Sequence, residues 1–331
     1  MNYPEELSYP LTYFKDIHDL IYYSKGILAP NGNLISTLVY IPENSEIAQL
    51  IQLKSNQKYI KRIIDCSFDK INYSNLSKQN QNYINSRIWM NPESRAKYIT
   101  VPIVDIKEIY NPRKAFQDAQ NEGGIVRVVL NDLRNLFDHV GIANEDCGLY
   151  GALQVQIYKT ESSKPKDIDV IVYGLDNFKI FKSIQNILLN KYNFKRFDKK
   201  FIDTKTYEFR ILKNLYRRDK ELALIHKSGI KIETKFIRNS KDKKTFPMNF
   251  FNNVGMDCTF KGRVINDDEA FTIAPSTFVV KSNSNRVVKV TSLIYLMAGA
   301  AFKNEKVNII GRDIGDNFIL LDSPIHYIGM G

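Results

Sequence analysis

The sequence predicts an α+β fold: a mixed sheet flanked by helices, with an α+β module before it and a small β-rich domain after it. Three observations carry this. Val126, Val129, Leu130, Leu133, Leu136 and Phe137 recur at three- and four-residue spacing, which lays them along one face of a helix. Ile168 to Tyr173 is a strongly apolar strand set between that helix and a second helical pattern at Phe178, Phe181, Ile184, Ile187 and Leu188. From about residue 259 onwards, short apolar segments alternate with turn residues, as in a small barrel.

Residues 1–112 read as the α+β module. Leu20 to Tyr23 and Leu34 to Ile41 flank Ala29-Pro30-Asn31-Gly32-Asn33, a hairpin signal. Asn72 to Asn82 lacks clear periodicity and reads as a surface loop or weak helix, and Thr100 to Ile109 reads as one strand ending at Asn111-Pro112. In the segment 113–245, Gly123-Gly124 precedes the long helix, which ends near Gly141. A short strand follows at Cys147 to Tyr150, then a polar loop from Lys159 to Lys166 and the apolar strand. Asp176 or Asn177 is placed to cap the next helix. Gly229 then opens an alternating strand from Ile230 to Ile237. The segment 246–331 supplies strands at Phe260 to Val264, Thr277 to Val280, Val287 to Tyr295, Val307 to Ile310 and Phe318 to Leu321.

Composition bounds the class. A chain of 331 residues with 44% hydrophobic and 25% charged residues matches soluble globular proteins and argues against disorder. No run is apolar enough for a membrane span, and Met1 to Pro10 holds acids rather than a basic-then-apolar leader, so a cytoplasmic protein is expected. Cys66, Cys147 and Cys258 lie too far apart to suggest a disulfide framework or a zinc site. His18, His139, His226 and His326 are scattered, without ligand or nucleophile spacing. The net charge of +11 would attract phosphate-rich partners, though a Lys- and Asn-rich composition produces the same excess without function.

The stretch that carries chemistry is Gly148-Leu149-Tyr150-Gly151-Ala152-Leu153, a loop, then Lys166-Asp167-Ile168-Asp169-Val170. Residues two apart on a strand share a face, so Asp167 and Asp169 point together. Crowded carboxylates disfavour one another's ionisation unless a cation lies between them, and Mg²⁺ or Mn²⁺ suits such all-oxygen ligands. The bland alternative is a pair of solvated aspartates at a strand mouth. Gly151-Ala152 would let backbone amides approach phosphate closely, or would simply form a tight turn. Glu233, on the Ile230 to Ile237 strand with Lys231 and Lys235 on the same face, is the candidate third carboxylate; an exposed edge strand would show the same pattern. Lys164, Lys166, Arg210, Arg217, Arg218 and Lys235 are candidates to offset triphosphate charge.

This pattern resembles the polymerase-β-like nucleotidyltransferase superfamily: an apolar residue, Gly-Ser or Gly-Gly, a loop, Asp-x-Asp, and a later carboxylate on a strand. Tyr150-Gly151-Ala152, Asp167-Ile168-Asp169 and Glu233 occupy those places. The chain is more closely similar to an uncharacterised, mainly archaeal group of predicted nucleotidyltransferases. That likeness covers Leu38 to Pro42, Ile109 to Arg113, Asp167 to Gly174 and Ala270 to Val279. The resemblance implies a nucleotidyltransferase-like sheet and transfer of a nucleoside monophosphate from a nucleoside triphosphate to an acceptor hydroxyl on RNA, protein or a small molecule. It implies Asp167, Asp169 and Glu233 as catalytic metal ligands and Gly151 and Ala152 as nucleotide-binding residues, to which Lys166 is added as a candidate for its charge beside Asp167. Two departures stand out: Ala152 replaces the usual Ser or Gly, and the loop before Asp167 is long. Two rivals remain: a nucleotide- or RNA-binding protein whose transferase site has decayed, and an assembly module that uses the β-rich tail.

Overall fold

The computed structural model describes residues 4–43, 45, 77–92, 97–156, 165–198, 221–242, 255–273, 275–294, 297–322 and 326–329, and the backbone alone at 59–64 and 330. These residues fall into two compact units, one within Met1–Asn111 together with Met248–Met256 and one within Pro112–Pro247 together with Asp257–Gly331. Of the segment 246–331 distinguished in the sequence, Asp257–Gly331 shares a unit with Pro112–Pro247. The architecture is α+β.

The first unit is a sheet of β1 (Tyr13–Asp16), β2 (Ile21–Leu28), β3 (Leu34–Pro42), β4 (Tyr59–Ile64), β5 (Ile88–Met90), β6 (Lys97–Val101) and β7 (Ile106–Tyr110), with helix α1 at Lys78–Ser86. Its order is β5-β6-β3-β2-β1-β7, and β4 also pairs with β3. β2 and β3 form the expected antiparallel hairpin, closed where Ala29 donates to the Asn33 carbonyl and turned at Gly32, whose φ is +80°. The single strand expected from Thr100 to Ile109 is instead two. Pro102 has no N–H to donate, a short 3₁₀ turn covers Ile103–Asp105, and β7 leaves β6 behind to pair with β1. Beneath the sheet, the buried Asp16 carboxylate accepts hydrogen bonds from the Tyr83 hydroxyl and from the His18 and Leu20 amides, with Arg87 beside it. A buried charge is tolerable only with such partners.

The second unit opens with α2 (Pro112–Asn121) and α3 (Gly124–Val140), whose left-handed Gly141 ends the helix with φ +85°. Then follow β8 (Cys147–Leu149), β9 (Asp167–Tyr173), α4 (Leu175–Ser183), α5 (Asn186–Lys191), β10 (Phe194–Arg196), β11 (Ala223–His226) and β12 (Lys231–Ile237). The sheet order is β10-β11-β12-β9-β8, with β12 parallel to β9 and its other neighbours antiparallel. Ile168, Val170 and Val172 of β9 and Ile232 of β12 are buried in one core with Leu133, Phe137, Phe178 and Phe181 of the helices. Burying each such side chain contributes about 1.5–3 kcal/mol.

Neither Asp176 nor Asn177 caps the helix after β9; Gly174 precedes it, and the Asp242 carboxylate accepts from the Leu175 amide at 3.1 Å. The helical pattern also breaks at Ile184, whose backbone is extended, giving α4 and α5.

The tail forms β13 (Met256–Glu269), β14 (Ser276–Lys281), β15 (Val287–Ser292), β16 (Lys306–Asp313), β17 (Phe318–Leu321) and β18 (Tyr327–Met330). In the order β13-β14-β15-β17-β16, the further pairing of β13 with β16 closes five strands into a barrel, and β18 pairs with β16 outside the ring. Val264, Phe278, Val280, Val288, Val290, Ile309, Ile319 and Leu321 fill it. The barrel joins the preceding sheet because Ile273 donates to the Phe236 carbonyl and Phe271 packs on Phe178 at 5.5 Å. Arg238, buried at the end of β12, completes the join through the Pro275 carbonyl and Glu269.

Barrel closure leaves no room at Gly311, where a methyl group would meet Leu321 at 2.6 Å and Ile319 at 2.7 Å. Gly311→Ala is therefore expected to destabilise the chain by about 1–3 kcal/mol in urea unfolding. An unchanged midpoint would contradict this packing.

Candidate active site

The register between β9 and β12 builds the site. Asp167 stands opposite Lys231, Asp169 opposite Glu233, and Ile171 opposite Lys235. In a parallel pair, residues in register share a face, so the two aspartates and Glu233 lie on one side of the sheet. The other side holds Ile168, Val170, Ile232 and Phe236, all fully buried. Orientation is therefore decided by the core: a one-residue slip would expose those apolar side chains and bury the acids.

β8 supplies the rest. It pairs antiparallel with β9, and the Tyr150 amide donates to the Asp169 carbonyl at 3.1 Å. Gly148 holds this strand against the start of α2, since a methyl group there would meet the Pro112 side chain at 2.9 Å. Gly151 follows at φ +74°, and a methyl group on it would lie 2.8 Å from Asp169 Oδ2. Glycine is needed here twice over, for the left-handed backbone and for the close approach of a carboxylate. Residues 151–156 continue as a turn rather than as a helix.

Charge in the site is crowded but ordered. Lys231 Nζ contacts Glu233 Oε1 at 2.6 Å, and Lys235 Nζ contacts Glu233 Oε2 at 3.1 Å. Lys235 is buried, with its ammonium 5.8 Å from the centre of the Tyr150 ring, while Lys231 lies over the Phe197 ring at 5.0 Å. Burial alone would push Glu233 up; Lys235 and then Lys231 overcome it and hold this carboxyl well below its usual range. Asp169 goes the other way. Burial raises it, Glu233 across the strand pair raises it further, and Lys235 with a hydrogen bond from Tyr150 only partly offsets the rise.

The structure thus brings together Asp167, Asp169, Glu233, Gly151 and Lys235 from the sequence-derived candidates. Ala152 is half-buried in the turn, and Lys166 is exposed just before β9. Lys164, Arg210, Arg217 and Arg218 lie outside the described residues. Sequence reasoning missed the Tyr150 hydroxyl, because Tyr150 reads as the apolar end of a strand. It also treated Lys235 as a general cation and gave Lys231 no role, although their i±2 spacing already placed both on the face of Glu233. Among the described residues, no three of His, Cys, Asp and Glu are grouped closely enough to hold one ion. Asp167 and Asp169 offer the oxygen ligands that a hard divalent cation takes, and Asp167 adds to the rise of the Asp169 carboxyl. Glu233 does not join them, because both of its oxygens are engaged by lysines.

No family model matches the chain, and neither a curated protein nor a solved structure matches it. Among the described residues, no helix is long and apolar enough to cross a membrane.

Two outcomes follow for the site. Gly151→Ala is expected to cost about 1–2 kcal/mol of stability, because alanine disfavours a positive φ, and to displace the Asp169 carboxylate. Urea unfolding checks the first effect and a crystal structure of the variant the second. For Asp169, the raised carboxyl means that the folded chain holds this proton more tightly than the unfolded chain does. Ionisation therefore costs stability above the folded-state value and costs nothing below the ordinary carboxylate range. Asp169→Asn is accordingly expected to unfold at higher urea than the parent near neutral pH, with the gain shrinking as pH falls through the raised Asp169 range. A gain that stays constant with pH would contradict the assignment.

Proposed function

We propose that this chain is a metal-dependent nucleotidyltransferase that moves a nucleoside monophosphate from a nucleoside triphosphate to an acceptor hydroxyl. One observation carries the reading: the parallel register of β9 and β12 sets Asp167, Asp169 and Glu233 on one face, with Gly151 against the Asp169 carboxylate. The order of α3, β8, a turn, β9, helices and β12 supports a nucleotidyltransferase-like sheet, as the resemblance implies.

In this reading the acceptor hydroxyl gives up its proton to water as its oxygen bonds to the α-phosphorus, while the bond to the bridging oxygen breaks and pyrophosphate leaves. Asp167 and Asp169 would hold a divalent cation, Mg²⁺ or Mn²⁺, which when bound neutralises charge on the triphosphate and lowers the barrier to displacement. Tyr150 fixes the Asp169 carboxylate by its hydrogen bond, and the hydrophobic face behind β9 prevents both aspartates from turning away. The turn at Gly151 and Ala152 offers backbone amides to phosphate oxygens, since neither residue has a side chain large enough to block them. The net charge of +11 suits a triphosphate and an RNA acceptor.

A second reading, a nucleotide- or RNA-binding protein of the same fold without transferase activity, is favoured by Ala152 in the Ser or Gly place and by the lysines on Glu233. Incubating the purified chain with α-labelled triphosphates, Mg²⁺ or Mn²⁺ and cell extract separates the two. The enzyme is expected to transfer label to a macromolecule and release pyrophosphate. Asp167→Asn and Asp169→Asn are expected to abolish transfer while the far-ultraviolet spectrum stays native. Triphosphate binding without pyrophosphate release would favour the binder, and unchanged turnover in both variants would reject the site.

A further inference from the structure

Resting on the reading of Asp167 and Asp169 as a cation site, we propose that Glu233 is the anchor of a lysine pair rather than a metal ligand. Lys235 then supplies in the site the positive charge that a second divalent ion would otherwise bring, and the chain takes one such ion, on Asp167 and Asp169.

The geometry of β12 carries this. Lys231, Glu233 and Lys235 alternate along one strand, so all three project from the same face, and the glutamate is bracketed by an ammonium on either side. Each carboxylate oxygen has its own cation, Oε1 at 2.6 Å from Lys231 and Oε2 at 3.1 Å from Lys235. A metal ion on Glu233 would have to displace one of these ammonium groups. Displacing Lys235 is the costly case, because that side chain is only 1% exposed and would be left charged, buried and facing a dication.

Lys235 also reaches beyond its own strand. Its charge acts on Asp169, which faces Glu233 across the strand pair, and its ammonium lies 5.8 Å from the ring of Tyr150, whose hydroxyl bonds Asp169. Asp169 and Glu233 therefore have a buried monovalent cation acting on both. Asp167 stands differently. It is exposed, opposite Lys231 at the open end of β9, where an ion can enter and keep part of its water. One carboxylate pair is thus open to a divalent ion, and the third carboxylate is already neutralised. Lys235 is a positioning residue here, acting through the carboxylates it balances.

The test counts ions on the full chain, using Mn²⁺ alone as the probe and electron paramagnetic resonance of free Mn²⁺ as the readout. The parent is expected to bind one Mn²⁺, and Asp169→Asn to lose it. Removing the buried charge in Lys235→Met should free Glu233, so that this variant binds a second Mn²⁺ or tightens the first by at least about tenfold. Lys235→Met with unchanged stoichiometry and affinity overturns the proposal. Should that variant fail to fold, the parent and Glu233→Gln decide the matter: two ions on the parent, reduced to one in Glu233→Gln, overturn it, whereas a parent that binds one ion, still counted on Glu233→Gln, supports it. A parent that binds no Mn²⁺ at all overturns the metal-site reading itself, which distinguishes that failure from this one.

Discussion

The site depends on one constraint: the parallel register of β9 and β12 forces Asp169 and Glu233 to stand side by side. Two carboxylates at that separation cannot both be charged and partly buried without compensation. The chain resolves the conflict asymmetrically. Glu233 stays ionised because two lysines flank it, and Asp169 is left with the excess, its carboxyl raised and held by Tyr150 and Gly151. The neighbouring features, from the buried Lys235 to the glycine at positive φ, follow from accommodating those charges on one sheet face.

That face is held rigidly by what lies behind it. The apolar residues of β9 and β12 alternate with the acids and are locked among the helices, and the aromatic cluster of Phe178, Phe181 and Phe236 continues to Phe271 at the edge of the barrel. Arg238 and the Ile273 hydrogen bond fasten the far end of β12 to the barrel strands. The β-rich tail therefore braces the strand that carries Glu233. A chemistry that needs carboxylates in fixed relation is best served by strands pinned in this way.

Legibility followed the range of the forces. The long helix, the β2–β3 hairpin, the apolar β9 strand and the Asp-x-Asp spacing are set by periodicity and turn chemistry within a few residues, and all were readable. The two-strand break at Pro102, the cap from Asp242 and the interruption at Ile184 were not. Pro102 ends one strand as expected of proline, but only the pairing with β1 makes Ile106–Tyr110 a separate strand. Asp242 reaches Leu175 from 67 residues away, beyond any local pattern. β10, only three residues long, exists because β11 pairs with it.

By itself the sequence determined which residues share a face: side chains two apart on a strand point the same way, which sets Asp167 with Asp169, and Lys231 with Glu233 and Lys235, and this needs nothing beyond strand geometry. It determined too that Gly151 precedes the acids at a turn. Only the tertiary structure decided which strands would be neighbours, in which direction and in what register. It was this pairing that set Glu233 beside Asp169, put Asp169 against Gly151 and gave both Glu233 oxygens to lysines. The reason is physical: alternation is a property of one strand, whereas the balance of charges belongs to the contacts between strands.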